Sequence, residues 1–220
     1  AWEHDFLMTM DPATKAVPKE RLFEAYEYAE ELRATMPVDR ETNWTEHGPD
    51  NVGGRSRAIM FDPNDATNKK FWAGSVSGGL WYTDDITASP PAWISVNGFW
   101  ENIAITTMAY DPSNTDVFYV GTGEGWNNSD AVQGAGIFKT WDGGNSWEHL
   151  PSTFANDAFS YVQKIVVGSN GFVYAATRGK EWWGSSGGVY RSTDAGNNWT
   201  QKLTGSSNNP MAADIEIAAD

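Results

Sequence analysis

The stretch Lys139-Thr140-Trp141-Asp142-Gly143-Gly144-Asn145-Ser146-Trp147 returns as Arg191-Ser192-Thr193-Asp194-Ala195-Gly196-Asn197-Asn198-Trp199. Both read [Ser/Thr]-x-Asp-x-Gly-x-x-Trp after a Gly-[Ile/Val]-[Phe/Tyr]-[Lys/Arg] run. The run before each copy predicts a strand. The Asp-x-Gly core predicts a turn, in which the carboxylate accepts backbone N–H bonds and glycine takes φ > 0 without steric cost. The Trp then opens the next strand with a large apolar face to bury against the neighbouring sheet. The structural residues of the two turns are Thr140, Asp142, Gly144 and Trp147, then Ser192, Asp194, Gly196 and Trp199.

A longer period surrounds these turns. Ala58-Ile59-Met60-Phe61-Asp62-Pro63-Asn64 is matched by Thr107–Ser113, by Lys164–Asn170 and by Asp214–Asp220. From Asp62 the steps to Asp111, Gly168 and Ala218 are 49, 57 and 50 residues, the spacing of a four-stranded propeller blade. A second strand follows each inner one: Phe71-Trp72-Ala73-Gly74, Phe118-Tyr119-Val120-Gly121 and Phe172-Val173-Tyr174-Ala175. The first repeat has a worn turn, Thr83-Asp84-Asp85, with Trp93 displaced by an insertion. The fold class expected is all-β, a propeller with about three and a half blades over residues 44–220. Such an arc does not close a ring, so the expectation is the N-terminal part of a larger propeller, or a ring completed by a partner chain. Residues 1–43 form an N-terminal extension, in which Leu22, Ala25, Tyr26, Ala29, Leu32 and Met36 fall at helical spacing between Pro18 and Pro37. That spacing predicts a helix over 18–36, packed on the propeller flank or docking a partner.

Composition excludes several functions. The 220 residues carry a formal net charge of -14, which disfavours nucleic acid and anionic membrane surfaces. No apolar run reaches the roughly 18 residues of a membrane span. Cysteine is absent, which removes disulfides and thiolate metal sites and favours a bacterial origin. A start at Ala1 fits removal of a signal peptide. The histidines are dispersed, and the Asp-Gly-Gly-Asn turn lacks the alternating carboxylates of a calcium loop, so neither metal nor cofactor is expected. The triplets Asn43-Trp44-Thr45, Asn127-Asn128-Ser129 and Asn198-Trp199-Thr200 match the glycosylation sequon, which in a bacterium stays bare.

Loops between second and third strands must lie opposite the Asp turns, beside the starts of the inner strands. These loops carry exposed-type aromatic and polar residues: Glu124, Trp126 and Asn127 in one blade, Arg178, Glu181, Trp182 and Trp183 in the next, with Arg55 entering the first inner strand. Trp beside amides and carboxylates suits sugar rings, and burial of these Trp residues between blades is the competing reading. Glu124 and Glu181 are weak candidates for a glycosidase carboxylate pair, against solvated loop carboxylates. Arg57 is expected to point into the sheet.

The two turns resemble the Asp-box, or BNR repeat, of β-propellers such as bacterial sialidases, xyloglucanases, sortilin-like receptors and a photosystem assembly factor. Trp44-x-x-x-Gly48-Pro49-x-Asn51-x-Gly53-Gly54-Arg55, with Ala58-Ile59 and Asp62-Pro63, is similar to the opening of secreted sortilin-like propellers of Bacteroidetes, often labelled glycosyl hydrolases. The resemblance covers residues 44–220. It implies a ligand face opposite the boxes, no cofactor, and export to the cell surface by type IX secretion. Xyloglucanases of this family resemble Ala73–Gly79 but carry a catalytic Asp where this chain has Val76, and the early Arg-Ile-Pro motif of sialidases is missing. The resulting expectation is a secreted or cell-surface module binding a protein, peptide or glycan, with a possible place in a membrane-associated secretion or surface assembly. The alternative is a xyloglucanase- or sialidase-like glycoside hydrolase whose carboxylates lie partly in further blades.

Overall fold

The structure is a computed structural model that describes residues 6–8, 10–17, 21, 28–29, 31–32, 34–35, 54–96, 104–126, 131–154, 156–180, 186–204 and 211–218. The helix expected over 18–36 lies largely outside the described residues. The chain forms two compact units, Ala1–Val52 with Phe99–Glu101, and Gly53–Gly98 with Asn102–Asp220. In the first, Arg21 pairs with Asp11 at 2.6 Å, whose carboxylate also accepts the Ala13 N–H. The second holds every described strand.

Three four-stranded antiparallel sheets follow one another in the second unit. The first comprises β1 (Ser56–Phe61), β2 (Phe71–Ser75), β3 (Gly79–Thr83) and β4 (Ile94–Ser95). The second comprises β5 (Ile105–Asp111), β6 (Asn114–Thr122), β7 (Ile137–Thr140) and β8 (Glu148–His149). The third comprises β9 (Tyr161–Val167), β10 (Val173–Arg178), β11 (Gly188–Ser192) and β12 (Thr200–Thr204). Each is a meander, and β5 lies beside both β1 and β9, so the inner strands are neighbours as in successive propeller blades.

Short alternating segments suffice here because every blade buries a face against the next. Between the first two blades Trp72 meets Phe118 with ring centroids 5.9 Å apart and Trp147 at 6.2 Å. Between the second and third, Tyr119, Ile137, Leu150, Phe159, Val162, Ile165, Val173 and Ala175 form one core, joined by Tyr190 and Trp199. In β9, Ile165 belongs to that core with Val167 packed on it, whereas their β1 counterparts Ile59 and Phe61 are exposed.

Pairing corrects one matched segment. The hydroxyl residue of each box pairs with one residue of its second strand: Thr83 with Phe71, Thr140 with Phe118, and Ser192 with Val173. The third repeat therefore begins at Val173, one residue later than the sequence match at Phe172. A one-residue slip moves a strand's side chains to the other face, which is why Val173 rather than Tyr174 joins the core. The fourth repeat also differs. Residues 212–218 form no ladder, the link to β10 is a single bridge between Met211 and Arg178, and Asp214 reaches Lys164 at 3.7 Å.

A feature invisible in the sequence recurs at the start of all three inner strands. Arg57, Thr106 and Gln163 each lack a partner across the ladder, while the residues on either side are paired. Each is a β-bulge, a device that twists the strand and re-aims a side chain.

Candidate functional site

The boxes occupy the β7–β8 and β11–β12 turns and are fully cross-bonded. Asp142 Oδ1 accepts from the Thr140 hydroxyl (2.7 Å) and the Ser146 N–H (2.9 Å), and its Oδ2 accepts from the Ser146 hydroxyl (2.6 Å). Asp194 repeats this with Ser192 (2.7 Å) and with the backbone and side chain of Asn198 (2.9 and 2.7 Å). These bonds, led by the Ser146 hydroxyl and the Asn198 amide, lower both carboxylates to about 2. In the worn turn the Thr87 hydroxyl and Lys69 lower Asp85 to about 2. With their acceptor capacity spent inside the turn, the box carboxylates act as caps. A cavity of about 440 Å³ beside the first full box is lined by Asp62, Asp65, Asp84, Asp116, Asp142 and Lys70. Its most buried carboxylate, Asp62, already accepts from Trp72 Nε1 (3.0 Å) and meets Lys70 Nζ at 3.3 Å. Among the described residues no group of three or more His, Cys, Asp or Glu is arranged to hold a metal ion.

The opposite end of the blades gathers the other candidates. The β6–β7 loop leaves β6 with the Gly123 N–H donating to Ala104 O (2.9 Å) and the Glu124 N–H to Val132 O (2.9 Å). These bonds hold the Glu124 backbone within its own blade, and its side chain reaches the first. Its Oε2 accepts from Arg55 Nη2 at 2.6 Å and its Oε1 from Arg57 Nη2 at 3.2 Å. Glu124 is 0% exposed, while the Arg55 and Arg57 side chains are 50% and 32% exposed. The Arg57 guanidinium also lies 5.2 Å from the ring centroid of Trp126, which is 38% exposed. On the other side Arg178 Nη1 donates to Gly125 O at 3.0 Å, with its guanidinium 4.9 Å over Tyr161. One loop thus joins the first and third blades.

Two expectations are corrected. Glu124 is a buried, doubly paired carboxylate, neither solvated nor open to a substrate, because two guanidiniums close over it. Arg57 does not point into the sheet, because its bulge turns it towards Glu124. Arg55, Glu124, Trp126 and Arg178 all contact the one β6–β7 loop or belong to it. Asn127, Glu181, Trp182 and Trp183 lie outside the described residues. Sequence reasoning missed Tyr161, the ring beneath Arg178, whose only signal was its place at the start of an inner strand. Val76 is buried and its N–H donates to Arg55 O at 2.9 Å.

No protein-family model matches the chain. Over 180 residues it is 27% identical to a probable oligoxyloglucan-reducing end-specific xyloglucanase of Neosartorya fischeri, covering 72% of this chain and 20% of that enzyme. The chain therefore spans about a fifth of that relative's length. An ancestral GH74 enzyme aligns with a TM-score of 0.51 and 24% identity, over 69% of this chain and 18% of that one. A structure of Ycf48 bound to a D1 peptide aligns with a TM-score of 0.45 and 17% identity, over 68% and 42% of the two chains. The fold is a xyloglucanase-like Asp-box propeller fold, at distant identity.

Proposed function

We propose that this arc of an Asp-box propeller is a non-catalytic binding module that takes a protein, peptide or glycan ligand bearing an acidic group on the face opposite the boxes. The observation that carries the reading is the state of Glu124, buried with each oxygen accepting from an arginine. A glycosidase acid or nucleophile must reach the scissile bond, and this carboxylate faces guanidiniums instead. What the mouth presents outward is cationic and aromatic: Arg55, Arg57 and Trp126. Two guanidiniums share one carboxylate, so the cluster keeps positive charge within a chain of net charge -14. Arginine forks suit carboxylates, and Trp gives a stacking face. The sortilin-like, secreted or surface-exposed character and the bacterial source belong to the same proposal, as does the helix over 18–36 as a docking element.

The similarity to a xyloglucanase favours a second reading, a glycoside hydrolase. Val76 weighs against it, being a buried aliphatic residue at the position where the family resemblance implies an acid.

Titration of Trp fluorescence with acidic peptides, neutral peptides, acidic sugars and xyloglucan oligosaccharides tests the proposal, with Trp126→Phe as the control for the reporting residue. Acidic ligands are expected to change the signal, and Arg55→Ala to weaken them about tenfold, the size of one charge-assisted hydrogen bond. Release of reducing sugar from xyloglucan oligosaccharides, with no response to any acidic ligand, would establish the hydrolase reading instead.

A further inference from the structure

The tripeptide Glu124-Gly125-Trp126 is gripped alternately from two blades. Glu124 accepts from Arg55 and Arg57 of the first blade at 2.6 and 3.2 Å, and the Trp126 ring centroid lies 5.2 Å from the Arg57 guanidinium. Between them the Gly125 carbonyl accepts from Arg178 Nη1 of the third blade at 3.0 Å. Arg178 is only 9% exposed, and its guanidinium lies 4.9 Å over the ring of Tyr161, its partner across the β9–β10 ladder. Little of it is left to face a ligand. Gly125 is also seated on that blade: a Cβ added there would fall 2.8 Å from Tyr161 Cβ and 2.7 Å from Gln163 Nε2. So close a backbone approach is what glycine permits. The middle of the tripeptide is therefore fixed to the third blade, while its two flanking side chains meet the first.

We propose that Arg178 is the positioning residue of the anion site, through which the third blade sets how the first blade's arginines are presented. The proposal rests on the binding reading above. It moves Arg178 from contact with the ligand to control of the residues that make that contact. The chemistry is that of a charged donor on a backbone carbonyl, a bond stronger than its neutral equivalent. With the Gly125 carbonyl held, the peptide groups beside it cannot turn freely. The Glu124 carboxylate and the Trp126 ring then keep the separation that Arg57 spans, since Arg57 touches both. Without Arg178 the conformational freedom of glycine returns, and the ion pair and the ring contact of Arg57 no longer hold together. An anion that needs Arg55 and Arg57 at once then meets a spread of geometries, and ordering them weakens binding.

The test uses the ¹⁵N-labelled 220-residue chain with propionate as the anion. The Arg57 Nε–H and Trp126 indole signals report the tripeptide without any ligand. In Arg178→Met both are expected to move, and propionate to bind roughly fivefold more weakly, less than the loss on removing Arg55 itself. Arg178→Lys keeps a charged donor for Gly125 O and is expected to restore most of the affinity and both signals. Gly125→Ala leaves Arg178 in place but lifts the loop off Tyr161. It should repeat the effect of Arg178→Met, and it carries the test where that variant does not fold. Val173→Ala loosens the core of the same blade without touching the loop, so its melting temperature should fall while its affinity stays at the wild-type value. Unmoved Arg57 and Trp126 signals, or unchanged affinity, in Arg178→Met and Gly125→Ala overturn the proposal and leave the binding reading intact. An equal loss of affinity in Val173→Ala overturns it as well, because general loosening would then be the cause. Wild-type signals that ignore propionate overturn the binding reading, and the two signals in Arg178→Met still decide whether the third blade holds the loop.

Discussion

Gly144 of the second blade lies against the indole of Trp72 in the first, so closely that a Cβ on the glycine would fall 2.4 Å from the ring's Cη2. The third blade repeats the arrangement one step on, where a Cβ on Gly196 would fall 2.6 Å from Leu150 Cδ1. The Ser152 side chain bonds Gly196 O, and Lys139 Nζ reaches Ala195 O at 3.0 Å. The Asp-box is thus both a turn within its own blade and the surface on which the preceding blade closes.

Gly144→Ala should be among the costlier single substitutions in the chain. The residue has φ +91, and the added methyl must displace a buried indole, for a combined loss of about 2–4 kcal/mol. Urea unfolding of the variant measures it. A loss no larger than that of an exposed surface substitution would mean that the box does not bear on Trp72 in solution.

Acid should weaken the fold through the boxes. Asp85, Asp142 and Asp194 are lowered to about 2 when folded, below the unfolded value of about 3.9. Their contribution is therefore complete above about pH 4 and is lost as pH falls towards about 2. The urea midpoint should drop across that window. The double variant Asp142→Ala with Asp194→Ala should start lower and fall less steeply, and parallel curves for the two proteins would contradict the assignment.

Removing either side of the Glu124 cluster should not cost the same. Glu124→Gln leaves two arginines exposed enough to be hydrated. Arg55→Met with Arg57→Met takes both guanidiniums away from a carboxylate that has no exposed surface, a loss of about 3–5 kcal/mol. Denaturant titration of the two variants gives the order directly, and equal losses would show that Glu124 is open to water in solution.

The register of the third blade can be read from truncation. Val173→Ala removes methyl groups from the core between blades and should cost about 2 kcal/mol. Tyr174→Phe, on the other face of β10, should stay within about 0.5 kcal/mol, as surface-type changes do. The opposite order would restore the match at Phe172.

The amino-acid sequence by itself determined the strand–turn–strand repeats. Box chemistry is local: Thr140, Asp142, Gly144 and Ser146 satisfy one another within a single turn, so their spacing suffices to identify it. The period near fifty residues likewise fixed the number of strands per sheet, and strand alternation fixed which loops share an end. Tertiary structure alone decided what those loops do. Arg55 and Glu124 are 69 residues apart in the chain, and Gly125 and Arg178 are 53 apart. Only blade stacking closes these distances and turns a loop carboxylate from a candidate acid into a buried counter-ion. The bulges at Arg57, Thr106 and Gln163 were equally out of reach of sequence. An unpaired residue in a strand is defined by its neighbour's register, and no property of the residue itself records it.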